Sequence, residues 1–207
     1  MDEFLPNPEL EEKNKNSKIF ICTQCGECCH IREKKDISEE EEKAYFSYMY
    51  NNFGIIYFAK LSDVTITIWP EEKEVLEKIA KEKGVNISFK SKRGYYDAED
   101  KSLIIIDYYI DADICPFFNR KAKQCTIYEN RPLICRSYPL LTTKTLGKCK
   151  YKKNDVNDYE SEKIYAKKLD EKTYKIKKLL KEMISNKRIL LDKKDLEDVR
   201  NIKELRI

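Results

Sequence analysis

A chain of 207 residues, two fifths of them apolar, is long enough for one domain with an appendage. Its formal charge is only +4, which argues against a nucleic-acid partner held by net charge. No run approaches the ~18 apolar residues of a membrane span, and residues 1–17, polar and carrying Pro6 and Pro8, lack the apolar core of a signal peptide. The expectation is a cytosolic protein with no membrane association.

Residues 1–17 read as a loose arm. Residues 18–22 (KIFIC) read as a short strand that enters the run CTQCGECC, and Ile31 leaves that run towards a second strand. Gly26 lets the backbone fold tightly within it. Ser38 followed by Glu41 is a capping box, so a helix starts there. Ala44, Tyr45, Tyr48 and Met49 have helical spacing, and Gly54 ends the element. Val64, Ile66 and Ile68 alternate with threonines, as in a strand. Pro70 opens a second helix, with Val75, Leu76 and Ile79 along one side and Gly84 as its stop. Residues 85–90 and 102–110 are strand-like, with a turn expected around Gly94 and Asp97.

From 113 to 140 the chain becomes short irregular pieces punctuated by Pro116, Pro132 and Pro139. Such a segment buries little by itself and needs a cross-link, which metal ligation can supply. Residues 156–184 give the longest helical signal, with Tyr165, Leu169, Ile176, Leu180 and Met183 as its stripe. A last helix is expected after Asn186, capped by Asp192. Residues 150–207 carry 18 Lys/Arg against 12 Asp/Glu, a solvated lysine-rich helical face. The fold class is α+β: a small, irregular, metal-stabilised domain with short strands and flanking helices, plus a C-terminal helical extension. The expected division is an arm at 1–17, a cysteine-cluster domain at 18–150 and the extension at 151–207.

Eight cysteines carry the chemistry. Cytosolic thiols stay reduced, which favours bound metal over disulfides; disulfides are the competing reading, since hyperthermophile cytosol contains them. Cys22, Cys25 and Cys28 follow C-x2-C-x2-C, a spacing that wraps one face of a 4Fe–4S cube and is completed by a later cysteine followed by proline. Cys115-Pro116 is such a pair. The first knuckle, Cys22 and Cys25, holds zinc equally well. Cys28 and Cys29 are adjacent, so their side chains diverge, and Cys29 serves a second site, a multinuclear cluster or a redox thiol. Cys125 and Cys135 follow Cys115 at even steps, and nothing beside Cys149 marks a role for it. His30, the sole histidine, is either a ligand or a solvent-facing side chain, and a single histidine weighs against Ser-His-Asp hydrolysis. Arg131 and Arg136 either balance thiolate charge or pair with carboxylates such as Glu129. Tyr128 and Tyr138 either cover the site or pack in the core. Asp111 and Asp113 read as solvated strand-end residues.

No G-x-G-x-x-G or P-loop glycine pattern is present. The radical-SAM spacing C-x3-C-x2-C is also absent, because Arg32 stands where its last cysteine would be.

The segments CTQCGECCH and ICPFFNRKAKQCTIYENRPLICRSYP resemble the YkgJ-type cysteine-cluster family, a zinc- or iron-chelating domain. The shared pattern is Cys22, Cys25, Gly26, Cys28 and Cys29, then Cys115 and Phe117, then Cys125, Ile127, Tyr128, Arg131, Pro132, Cys135, Arg136, Tyr138 and Pro139. The resemblance implies a metal site more than a reaction. Proteins of this kind are loosely called iron–sulfur oxidoreductases, and similar clusters occur in flagellin lysine methylases. The candidate metal ligands are Cys22, Cys25, Cys28, Cys29, Cys115, Cys125 and Cys135. The first reading is an iron–sulfur protein, 4Fe–4S favoured, with a redox or electron-transfer role and a protein redox partner. The alternatives are a zinc-binding structural module and an accessory or modifying enzyme related to the methylases.

Overall fold

The structure, a computed structural model, describes residues 26–140 and 160–191. They form an α+β fold of four helices and seven short antiparallel strands. The expected arm at 1–17, the strand at 18–22 and the helix after Asp192 lie outside the described residues. By its internal contacts the chain divides into two units. One comprises 1–31, 79–87 and 112–172, the other 32–78, 88–111 and 173–207.

The second unit holds the longer strands. Strand β1 (Arg32–Lys34) pairs with β3 (Asp63–Thr65), and β2 (Ile56–Tyr57), β4 (Phe89–Asp97) and β5 (Ser102–Ile110) form an antiparallel sheet in the order β2-β4-β5. Helix α1 (Glu39–Phe53) begins in the capping box read from the sequence. Glu41 N–H donates to Ser38 Oγ at 3.2 Å and Ser38 N–H donates to Glu41 Oε2 at 3.0 Å. Its inward stripe is the expected one only in part. Met49 is buried and Phe46 stacks on Tyr57, whereas Tyr45 and Tyr48 face solvent. Tyr57 meets both Phe46 and Tyr45, stacking on the first and standing edge-on to the second, with the two tyrosine hydroxyls 3.2 Å apart.

Gly54 closes α1 in the left-handed conformation, φ 65°, and its N–H reaches back to Tyr50 O at 2.7 Å. A Cβ there would lie 2.3 Å from Ile189 Cγ2. We expect Gly54→Ala to cost roughly 2–4 kcal/mol, the sum of left-handed strain and overpacking. Urea titration should show a lower midpoint at unchanged slope.

Helix α2 (Pro70–Lys83) opens where Pro70 supplies a preset φ, and Trp69 N–H is met by Glu72 Oε2 at 3.0 Å. Leu76 and Ala80 form its buried line and Val75 is half exposed, so the apolar side lies one position round from the expected one. Strand β3 stops at Thr65. Ile68, fully buried, instead makes an isolated bridge to Tyr108.

Strands β4 and β5 are offset by a bulge between Ser91 and Gly94, so Lys92 has no register partner and Arg93 faces Asp107. Gly94 therefore sits inside the strand. The turn is 98–101, where Asp97 Oδ1 accepts the Glu99 N–H at 3.1 Å and Lys101 takes φ 50°. After helix α4 (Glu160–Ser185), Arg188 clasps this turn. Its guanidinium meets Asp97, Glu99 (3.0 Å) and Asp100 (2.8 Å), while its carbonyl accepts Ala98 N–H at 2.7 Å. Asp111, read from the sequence as a solvated strand-end residue, is instead taken up in the same way, by Arg32 at 2.6 Å and Lys90 at 2.8 Å.

The first unit carries the cysteines. Its pieces are short, as the prolines required: a 3-10 turn Glu27–Cys29, β6 (Phe118–Asn119) paired with β7 (Gln124–Cys125), a 3-10 turn Tyr128–Asn130 and α3 (Leu133–Ser137). Ile31, Phe117, Phe118, Ile127, Leu140 and Leu169 are its larger buried residues. Helix α4 buries Leu169, Leu180 and Met183 of the expected stripe. Among the described residues no helix is long and apolar enough to cross a membrane.

Candidate metal centre

Gly26 turns the early cysteine run at φ 88°, and Cys29 N–H closes the turn on Gly26 O at 2.8 Å. The run is then stitched to the later segment by backbone. Cys115 N–H donates to Cys29 O at 2.8 Å, Ile31 N–H donates to Asp113 O at 3.0 Å, and His30 bridges to Ile114. Two stretches more than eighty positions apart are thus adjacent.

Cys28, Cys29, Cys115, Cys125 and Cys135 are reduced and half-buried. The Cys29 thiol is raised far above the ordinary thiol range, first by its hydrogen bond with the Cys28 side chain, then by burial and by the charges of Cys28, Cys115 and Cys125. Burial pushes Cys115 up to about 11. It also raises Cys125, and it raises Cys135 strongly, with Cys28, Cys115 and Cys125 adding to the Cys135 shift. These five thiols therefore act on one another. Each is unfavourable as a thiolate while its neighbours carry no compensating cation. Cys22, Cys25 and Cys149 lie outside the described residues. Among the described residues no three His, Cys, Asp or Glu side chains are grouped closely enough to hold a metal ion.

Two contacts already favour the thiolate form. Phe117 N–H is bonded to the Cys115 sulfur and Ile127 N–H to the Cys125 sulfur, and each lowers the thiol against the effect of burial. Both donors stand two residues after their cysteine. Hydrogen bonds of this kind orient sulfur ligands and tune the metal they hold. Cys135 lies in α3, whose first turn returns Cys135 N–H to Pro132 O at 2.9 Å.

The two arginines divide the roles left open for them. Arg131 stacks on Tyr128, 3.9 Å from the ring centre, donates to Tyr128 O at 3.1 Å and lowers Cys125 and Cys135 by its charge. Arg136 instead donates to the carbonyls of Arg131 (2.8 Å) and Glu129 and lies over Tyr165. It holds backbone, and it meets the carbonyl rather than the carboxylate of Glu129. Tyr128 accordingly carries Arg131. His30 is exposed, and its backbone makes the bridge to Ile114.

One residue went unnoticed in the sequence. Glu162, in the first turn of α4, has a buried Oε2 with no hydrogen-bond partner. Burial raises its carboxyl above the usual range, and Arg131 opposes the shift. The folded protein thus holds its proton more tightly than the unfolded chain does, so stability falls as pH rises from the unfolded pKa through the folded one. Glu162→Gln removes the charge, and thermal unfolding should show a gain at pH 7 that disappears near pH 4.

The family model CxxCxxCC, described as "Putative zinc- or iron-chelating domain", matches residues 21–152. The chain belongs to this family. No curated protein and no solved structure matches the chain. The CxxCxxCC match begins one residue before Cys22 and takes in all eight cysteines. It therefore covers the early run, the short pieces of the first unit and the sheet of the second. The donor chemistry of the described site fits the family description: soft thiols that feel one another's charge, N–H groups aimed at two of the sulfurs, and a nearby guanidinium suit a thiophilic metal.

Proposed function

We propose that this CxxCxxCC protein carries an iron–sulfur cluster, 4Fe–4S, and works in electron transfer in a reducing compartment. The observation that carries this reading is the joining of the early run to the later cysteines at Cys29 and Cys115, in a site where five thiols couple to one another. Cys22, Cys25 and Cys28 would hold three corners, and Cys115, followed by proline, the fourth. Cys29, Cys125 and Cys135 exceed the four corners of that cluster and would serve a second site. When bound, the cluster would supply one-electron chemistry. The chain's own contribution would be the N–H bonds from Phe117 and Ile127 and the charge of Arg131, which favour thiolates and set a potential. Residues 18–150 would form the cysteine-cluster domain and 151–207 a helical extension.

Zinc is the second reading, because N–H groups on sulfur serve a zinc ion held by four thiolates equally well. Seven candidate thiols exceed the four that either one zinc ion or one 4Fe–4S cluster uses, so their number does not separate the two. The test is iron, zinc and acid-labile sulfide analysis of protein purified without oxygen. Iron with matching sulfide, and visible absorption that bleaches reversibly with dithionite, is expected. Stoichiometric zinc without sulfide would overturn the proposal in favour of a structural module.

A further inference from the structure

The second unit contains a cleft that the cysteine chemistry does not use. It lies where Phe53, the last residue of α1, meets the closing turns of α4, and has a volume of about 450 Å³. Its walls include Phe53, Tyr174, Lys177, Lys178, Lys181 and Asn186.

The charges here are arranged unusually. Lys177 and Lys181 are one helical turn apart, and both ammonium groups stand on the Phe53 ring, 5.3 and 5.6 Å from its centre. Like charges at this spacing repel each other, and the ring quadrupole offsets that repulsion. Among the described residues neither lysine meets a carboxylate, whereas Lys178 has Glu182 at 3.8 Å. With three lysines and one glutamate in its lining, the cleft is cationic. Tyr174 precedes Lys177 and Lys178 by three and four positions, on the same helix face, and is 69% exposed.

Two unpaired ammonium groups drawn together want a polyanion between them, and an exposed ring beside them offers a stacking surface. The volume is in the range of small-molecule sites. We propose that this cleft binds a nucleoside polyphosphate, its phosphates on Lys177, Lys178 and Lys181 and its base against Tyr174. The binding is electrostatic and stacking in character, and it requires neither of the glycine-rich loops absent from the sequence.

The experiment is isothermal titration of the full chain with magnesium adenosine triphosphate, magnesium tripolyphosphate and adenosine, at low and moderate salt. The triphosphate should bind about tenfold more tightly than tripolyphosphate, and Tyr174→Ala should remove that advantage. Lys177→Gln/Lys181→Gln should lower triphosphate affinity at least about tenfold, with unfolding temperature and metal content unchanged, since these side chains are exposed. Adenosine alone should not bind measurably. Absence of triphosphate binding, equal affinity for tripolyphosphate, or an unaltered double variant would overturn the proposal. Because metal content is read on the same samples, failure here is separable from failure of the iron–sulfur reading.

Discussion

Cys115→Ser is expected to release the metal and destabilise the first unit together. Cys115 stands where the two cysteine stretches meet. Its N–H holds Cys29 O and its sulfur receives the Phe117 N–H. The segment around it has two-residue strands and a five-residue helix, so beside the buried Phe117, Phe118 and Ile127 it has little regular structure to secure it. Ligation then supplies much of its stability, and structural thiolate sites contribute on the order of 10 kcal/mol to folding. A serine hydroxyl is a poor substitute for a thiolate. We expect metal content to collapse and the unfolding temperature to fall by about 10 °C or more. Chelator-stripped wild-type protein provides the control. If ligation is the cause, the same substitution in stripped protein should cost less than about 1 kcal/mol. An equal loss in both would assign Cys115 to packing.

Asp107→Ala is expected to give the largest loss in the second unit, roughly 3–5 kcal/mol. Asp107 is fully buried and faces Arg93 across β4 and β5, with Arg93 Nε at 2.9 Å and a second bond from Nη2. Removing the carboxylate leaves the guanidinium without its counter-charge. Asp107→Asn, which keeps an acceptor, should lose less. The adjacent Lys92 adds a pH signature. Turned inward at the bulge, its ammonium bonds Thr65 O at 2.7 Å and Thr67 Oγ1 at 3.2 Å, and burial pushes its pKa down to about 8 while Asp107 partly holds it up. The unfolded chain therefore binds more protons than the folded one between pH 8 and the ordinary lysine pKa, and stability should rise with pH across that window. Lys92→Met should flatten the rise in urea titrations from pH 7 to 10, and Asp107→Ala should move its onset to lower pH.

The pair also shows where sequence reading stopped. Ser38 with Glu41, Gly54, Pro70 and Gly84 announced helix ends because capping is local chemistry, legible within a few positions. The buried faces of α1 and α2 were less legible. Tyr45, Tyr48 and Val75 fit helical spacing as well as Phe46 and Ala80 do, and the choice between them rests on residues outside the helices. Gly94 looked like a turn residue, but a bulge absorbed it into β4. The cysteines themselves were plain, since few proteins place eight thiols this way without a metal. What could not be read was their surroundings. The N–H bonds from Phe117 and Ile127, the assignment of Arg131 to thiols and Arg136 to carbonyls, and the unpartnered Glu162 all depend on how the pieces fold back.

The claim beneath the rest is that thiols from the two distant stretches ligate one centre together. X-ray absorption at the iron and zinc edges, on the full chain purified without oxygen, tests it most directly. The account predicts an iron centre with sulfur throughout its nearest shell and a further iron as its next neighbour. A nearest shell of nitrogen or oxygen donors, or a chain that binds no metal, would contradict it.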